Sequence, residues 1–247
     1  MSKTPALFKY SLLALTIAHI NLSFAEDDVA TLSTIQLQAD ETGNQSSEKT
    51  KTYNVKKSSS ATKLNIDAQE TPQTVNVVTR QQMDDFNLTS TRDILNNTPG
   101  VTVTGLETNR TTYTARGFDI SNILVDGIGI PQVDSYNYNN SDADSYFYDR
   151  IEVVKGADAL TNALGDPGAT INYIRKRPTK EFQANAGVSY GSWDTQRYEA
   201  DISGSLTQDG RLRGRLVGYE KTGDSYLDGY SEEKNGFQGI LEADLTD

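Results

Sequence analysis

The stretch FQANAGVSY, residues 182–190, alternates small or apolar side chains with polar ones at every second position. Successive side chains of a β-strand point to opposite faces, so this stretch predicts a strand with one apolar and one polar face. The same alternation returns, opposite a dense row of charges, in residues 197–206, 211–216 and 237–244. Strands of this kind are typical of a membrane β-barrel, with lipid outside and a polar interior. A soluble antiparallel meander is the alternative.

Aromatic residues near the predicted strand ends favour the barrel interpretation. They are Tyr190, Trp193, Tyr219 and Tyr226, and membrane barrels carry aromatic girdles at such positions. Asp209-Gly210 predicts a hairpin turn between two of the strands. We therefore predict that residues 179–247 are antiparallel strands of a transmembrane β-barrel.

The preceding region, residues 61–178, has a mixed α/β pattern and is predicted to form one α+β domain. Thr79 is positioned to cap a short helix, and Ser90 with Asp93 resembles a capping box that buries Ile94 and Leu95. A further short helix is predicted from Ala157 to Leu164, and a long loop from Gln132 to Tyr148. The predicted strands are residues 75–78, 101–104, 111–116, 122–125, 150–155 and 170–175.

The N-terminal residues indicate export. Residues 1–25 combine early lysines, a short apolar run and a small-residue cleavage site after Ala25, which is typical of a secretory signal peptide. A membrane-spanning helix is the alternative, but the run is too short and contains His19. Residues 26–60 are polar and predict a flexible arm. Its one alternating island, residues 32–39, is either a segment that adds to a sheet edge of a partner or a random fluctuation.

The composition argues against catalysis and against nucleic-acid binding. The chain has 34 acidic and 23 basic residues, a net charge of −11, no cysteine and one histidine. Nucleic-acid binding needs a basic face. Without cysteine, disulfides and thiolate chemistry are excluded. Because the histidine lies in the predicted signal peptide, the mature chain has no side chain with an ordinary pKa near neutrality. We expect a binding or transport protein and not an enzyme.

Several segments, in this order and spacing, resemble the plug domain of TonB-dependent outer-membrane receptors. They are ETPQTVNVVT at residues 70–79, DILNNTPGV at 93–101, RGF at 116–118, LVDG at 124–127, RIEVVKG at 150–156 and GDPGATINYIRKRP at 165–178. The resemblance covers residues 62 to 247. It implies an α+β plug over residues 61–178, followed at residues 179–247 by the first antiparallel strands of a transmembrane β-barrel that is incomplete in this chain. Within the family, the chain is most similar to ferric-siderophore receptors of the coprogen and rhodotorulate group, which take hydroxamates.

The resemblance also implies partners and a location. The alternating island resembles a TonB box, whose residues are Leu32, Ser33, Thr34, Ile35, Gln36, Leu37, Gln38 and Ala39. It implies binding to TonB, with ExbB and ExbD acting indirectly, and a place in the outer-membrane lipid of a Gram-negative bacterium. Family barrels have about 22 strands, whereas about four fit before Asp247, so the chain is expected to be an N-terminal fragment.

The predicted ligand-binding residues are Arg116, Phe118, Tyr136 and Tyr138. A ferric siderophore brings its own oxygen ligands, so the receptor supplies donors and aromatic walls and needs no cofactor or metal ligands of its own. A structural arginine and ordinary loop tyrosines are the alternatives. Calcium binding by Asp142 and Asp144 is not expected, because no EF-hand spacing follows. Other cargoes, namely a catecholate siderophore, haem or a vitamin, and a structural or adhesive envelope role remain open.

Overall fold

The structure, a computed structural model, describes residues 46–67, 69–106, 110–130, 142–156 and 167–245. Three short helices lie in the first half: α1 (Ser47–Thr50), α2 (Arg80–Asp85) and α3 (Thr91–Asn96), with a 3-10 helix, η1, at Ser145–Phe147. The strands up to Arg175 are β1 (Lys57–Ser58), β2 (Ile66–Asp67), β3 (Thr74–Thr79), β4 (Val101–Gly105), β5 (Thr111–Ala115), β6 (Phe118–Asp119), β7 (Asn122–Val125), β8 (Ile128–Gly129), β9 (Tyr148–Lys155) and β10 (Ala169–Arg175).

A five-stranded sheet in the order β3-β9-β10-β7-β8 organises the first half. Only β10 and β7 are parallel, and the other neighbours are antiparallel. A three-stranded sheet, β4-β5-β6, and the helices α2 and α3 pack against it. The core between them includes Met83, Ile94, Ile151, Val153 and Ile171, all at most 1% exposed. This is the predicted α+β domain.

Capping residues set the helix starts. The Thr79 hydroxyl accepts a hydrogen bond from the backbone N–H of Gln82 at the start of α2. The Ser90 hydroxyl accepts one from the N–H of Asp93 and donates to its carboxylate at the start of α3. Each bond satisfies groups that the first helical turn leaves unpaired. Both predicted caps are confirmed, as is the burial of Ile94 and Leu95.

The second half is a four-stranded antiparallel sheet of consecutive hairpins. Its strands are β11 (Gln183–Tyr190), β12 (Gln196–Ser205), β13 (Leu212–Asp224) and β14 (Ser231–Ala243). The apolar side chains of this sheet are exposed and its charged side chains are buried, the reverse of a soluble protein. Val188 and Phe237 are 76% and 75% exposed, while Arg197, Asp201 and Arg215 are buried. The charged face covers the α+β domain and the apolar face points outward. This arrangement is expected of barrel strands whose outer face meets lipid.

No helix among the residues that the structure describes is long and apolar enough to cross a membrane.

The segment from residue 46 to residue 60 departs from the sequence prediction. A flexible arm was expected here, but Ser47, Val55 and Ser60 are buried, and the Ser58 hydroxyl donates to the carboxylate of Glu152. The prediction is therefore wrong for residues 46–60. Hydrogen bonds to Asp149 and Glu152 and an ion pair with Arg215 hold this segment, and such contacts leave no apolar periodicity in the sequence. The signal peptide, the arm up to residue 45 and the helix predicted at 157–164 lie outside the described residues.

Candidate functional site

One end of the five-stranded sheet gathers the candidate ligand contacts. Lys155 at the end of β9 pairs with Ala169 at the start of β10, and Thr170 pairs with Asn122 at the start of β7. The described chain also reaches this end at Ile130, just before residues 131–141, and at Gly156, just before residues 157–166. We call it the Lys155 end.

Arg116 and Phe118 are presented there by a tight hairpin. Strands β5 and β6 pair Ala115 with Phe118, which leaves Arg116-Gly117 as a two-residue turn with φ values of 55° and 84°. Two positive φ values are typical of a type I′ hairpin, and glycine takes such a value without strain. The turn places both predicted side chains outward, with Phe118 54% exposed. Tyr136 and Tyr138 lie outside the described residues.

The guanidinium of Arg116 lies directly over Gly156. A Cβ atom added to Gly156 would lie 2.8 Å from Nη1 of Arg116, so the guanidinium occupies the space that any larger residue would fill. Among the described residues no ion pair includes Arg116.

Lys155 is a second cation at this end, and the sequence reasoning missed it. Its Nζ donates to the backbone oxygen of Pro99 at 2.8 Å. Burial lowers the pKa of Lys155, and the positive charge of Arg116 lowers it further. Two cations held close together attract an electronegative ligand. The signal was present, because Lys155 precedes the turn glycine at a strand end, but only the fold brings it next to Arg116.

A different set of charges joins this domain to the four-stranded sheet. Arg197 on β12 binds both carboxylate oxygens of Asp144, at 2.6 and 2.9 Å. Its guanidinium lies 5.0 Å from the ring centre of Tyr219 and 5.8 Å from that of Tyr146. Phe147 packs on Tyr219 and fits over Gly236, where an added Cβ would lie 2.7 Å from its ring. The ion pair between Arg197 and Asp144 and the packing of Phe147 thus position η1 against the strands.

A cleft of about 620 Å³ opens beside this junction. It lies between α2 and η1 on one side and the charged face of β11, β12 and β13 on the other. Its lining includes three cations and two carboxylates: Arg80, Arg197, Lys221, Asp84 and Glu199. The polar lining is consistent with a water-filled space between the domain and the sheet, unlike a hydrophobic core.

Comparisons with known proteins agree with this architecture. Residues 67–170 match the TonB-dependent Receptor Plug Domain family. The ferripyoverdine receptor of Pseudomonas aeruginosa is 46% identical over 75% of this chain and 23% of its own length. The ferric-pyoverdine 358 receptor of Pseudomonas putida is 42% identical over 82% of this chain and 25% of its own length. This chain thus spans about a quarter of the length of these curated relatives.

Solved structures match over the plug and the strands together. The pyoverdine receptor FpvA of Pseudomonas aeruginosa superposes with a TM-score of 0.79 and 43% identity, over 83% of this chain and 30% of that one. The alcaligin receptor FauA of Bordetella pertussis gives 0.74 and 42%, over 82% and 35%. The relatives are receptors, which confirms the prediction that the chain is not an enzyme. In its plug domain and the barrel-type strands that follow, this chain is similar to TonB-dependent receptors.

Proposed function

We propose that this protein is an outer-membrane receptor for the TonB-dependent uptake of a ferric siderophore. The observation that carries the proposal is the Lys155 end of the plug, where Arg116 lies close to Lys155 and where Phe118, on the same hairpin as Arg116, is exposed. Several relatives are named as receptors for ferric siderophores, including ferripyoverdine, ferrioxamine and ferrichrome. The proposal transfers that class of cargo to this chain.

The chemistry of the cargo suits these side chains. In a ferric siderophore the iron is already coordinated by oxygen atoms, which carry negative charge and face outward in part. The planar guanidinium of Arg116 offers several donors to such oxygens, and charge-assisted hydrogen bonds are stronger than neutral ones. Phe118 offers an apolar face to the organic part of the chelate. The receptor then recognises the chelate without ligating the iron.

We further propose a hydroxamate siderophore, of the coprogen and rhodotorulate type, as the cargo, with Tyr136 and Tyr138 as additional contacts. The resemblance noted in the sequence supports this choice. Binding to a panel of ferric coprogen, ferrioxamine B, ferrichrome, ferripyoverdine, a ferric catecholate and haem tests the choice directly.

We propose that TonB drives uptake by binding the arm at residues 32–39. A cleaved signal peptide, residues 1–25, would export the protein to the outer membrane. The outward apolar face of strands β11 to β14 supports a place in that membrane, because lipid can cover it.

Replacement of Arg116 tests the ligand site. Arg116→Ala removes the charged donors, so ferric-siderophore binding should weaken by about 1.5–3 kcal/mol, or roughly ten- to a hundredfold. Arg175→Ala is the matched control. It also removes one positive charge, but it lies at the opposite end of β10, where it pairs with Asp126. We expect the control to bind as the wild type does. Equal affinity of Arg116→Ala and wild type, or loss of the folded receptor, would contradict the assignment.

A further inference from the structure

Residues Ser46, Ser47 and Glu48 are bound to the plug by one carboxylate. The hydroxyl of Ser46 and the backbone N–H groups of Ser47 and Glu48 donate to Asp149, at 2.7, 2.9 and 3.0 Å. The Ser47 hydroxyl donates to the backbone oxygen of Asp149 and accepts from the N–H of Arg80. Asp149 is 2% exposed. This short segment is therefore part of the plug's buried polar network.

The same segment is also bound to the four-stranded sheet. The carboxylate of Glu48 receives two hydrogen bonds from the guanidinium of Arg215 on β13, at 2.8 and 2.9 Å. Arg215 donates on its other side to Asp201 on β12. Lys176 donates to Asp201 at 2.9 Å and lies 3.8 Å from Glu48. Four charges from four parts of the chain thus meet at one point.

Charge balance makes Glu48 necessary to this group. Arg215, Asp201 and Lys176 have side chains that are only 2%, 3% and 4% exposed, and Glu48 is 21% exposed. With Glu48 present, two cations face two carboxylates. Without it, two buried cations share Asp201 alone, and an unbalanced buried charge is strongly unfavourable. Burial lowers the pKa of Lys176, and the Glu48 carboxylate opposes that effect.

We propose that residues 46–48 form a charge-balanced clasp that fastens the plug to strands β12 and β13. Asp149 holds the clasp on the plug side and Arg215 on the sheet side. Displacing this one segment breaks both attachments and leaves an uncompensated cation at the junction. Displacement of the clasp therefore removes one attachment between the plug and the sheet, beside the separate one that Arg197 and Asp144 form.

The clasp gives the proposed uptake a defined first step, and this part rests on the proposed function. The predicted TonB box ends at Ala39, only a few residues before Ser46. A pull on the arm would reach the clasp before it reached the central sheet of the plug. The clasp itself requires neither cargo nor TonB, so it can be tested apart from transport.

A single cysteine reports on the clasp, because the chain contains none of its own. Val55 lies seven residues after Glu48, is 8% exposed and is replaced by cysteine with little change in volume, so its exposure reports on opening of the chain next to the clasp. In Val55→Cys protein purified in detergent, the rate of maleimide labelling measures how often this segment opens. Into this background we would introduce Glu48→Gln alone, and Glu48→Gln together with Lys176→Met.

The clasp predicts an unusual order of labelling rates. Glu48→Gln should speed labelling by about tenfold, because it unbalances the buried charges. The double variant also removes the cation of Lys176, so that Arg215 and Asp201 remain as one cation and one carboxylate. Its labelling rate should be near that of Val55→Cys alone. Glu232→Gln is the control: Glu232 pairs with two lysines and is 25% exposed, but lies in β14 away from the clasp. It should leave the rate unchanged.

Each other outcome overturns the inference. If Glu48→Gln leaves the labelling rate unchanged, the ion pair between Glu48 and Arg215 contributes no more than an ordinary surface ion pair. Labelling of the double variant as fast as the single variant, or faster, would exclude charge balance as the cause. If Glu48→Gln does not fold, the double variant should still fold, and failure of both would likewise overturn the clasp. None of these results depends on iron uptake, so failure of the proposed function would be seen separately.

Discussion

At the scale of single residues, Gly156 determines where the guanidinium of Arg116 lies. Gly156→Ala would place a methyl group 2.8 Å from Nη1 of Arg116 and should displace it, since the glycine also has a φ of +104°. We expect ferric-siderophore binding to weaken by up to about tenfold, part of the effect of removing the arginine. Gly229→Ala is the control, because Gly229 also has a positive φ but no atom lies within 4 Å of the added Cβ. Equilibrium binding with wild-type affinity in Gly156→Ala would show that Gly156 does not position Arg116.

The positions of individual residues could be predicted from the sequence where a local motif determines them. The Arg-Gly-Phe sequence identified Arg116 and Phe118, and the structure places both on one hairpin turn, exposed at the Lys155 end. Their role in binding a ligand stays a prediction. Lys155 and Glu48 were not predictable, because their significance depends on partners distant in the sequence. Glu48 meets Arg215 across 167 positions, and no spacing rule reaches that far.

At the scale of elements, the inverted faces of the four-stranded sheet make a clear prediction. Leu216 is 50% exposed on the apolar face of β13, between the inward-facing Arg215 and Val217. Leu216→Lys should cost about 2–4 kcal/mol if that face lies in the middle of a bilayer, less near its edge. The folded receptor recovered from outer membranes should fall accordingly. Gln208→Lys, in the exposed turn after β12, should have no such effect. Equal yields of the two variants would contradict a lipid-facing apolar face.

Elements were predicted well where their periodicity is strong. The alternation from residue 182 onward gave the strands and their two faces, and the capping residues gave the starts of α2 and α3. Residues 46–60 lack apolar residues at regular spacing, and that pattern predicts a flexible arm. Hydrogen bonds to Asp149 and Glu152 hold this segment, and such contacts leave no periodic signal in a sequence.

At the scale of the whole molecule, the plug and the sheet meet through charges, and the arm precedes both. The proposed role of the arm is tested by Ile35→Pro within the predicted TonB box. Strand addition depends on backbone hydrogen bonds, and proline removes a donor and fixes φ. We expect uptake of ferric siderophore to be abolished while binding at the cell surface is retained. Ile35→Ala is the control and should act more weakly. Normal uptake by Ile35→Pro would remove the TonB-box assignment.

The measurement that tests the account most directly is accumulation of radiolabelled iron, supplied as a ferric siderophore, in cells whose other ferric-siderophore receptors are deleted. Cells producing this protein are compared with and without TonB, over the same panel of chelates. We predict binding in both strains, and accumulation only where TonB is present and only for chelates that bind. Accumulation that is the same without TonB, or absence of binding by every ferric siderophore of the panel, would contradict the account.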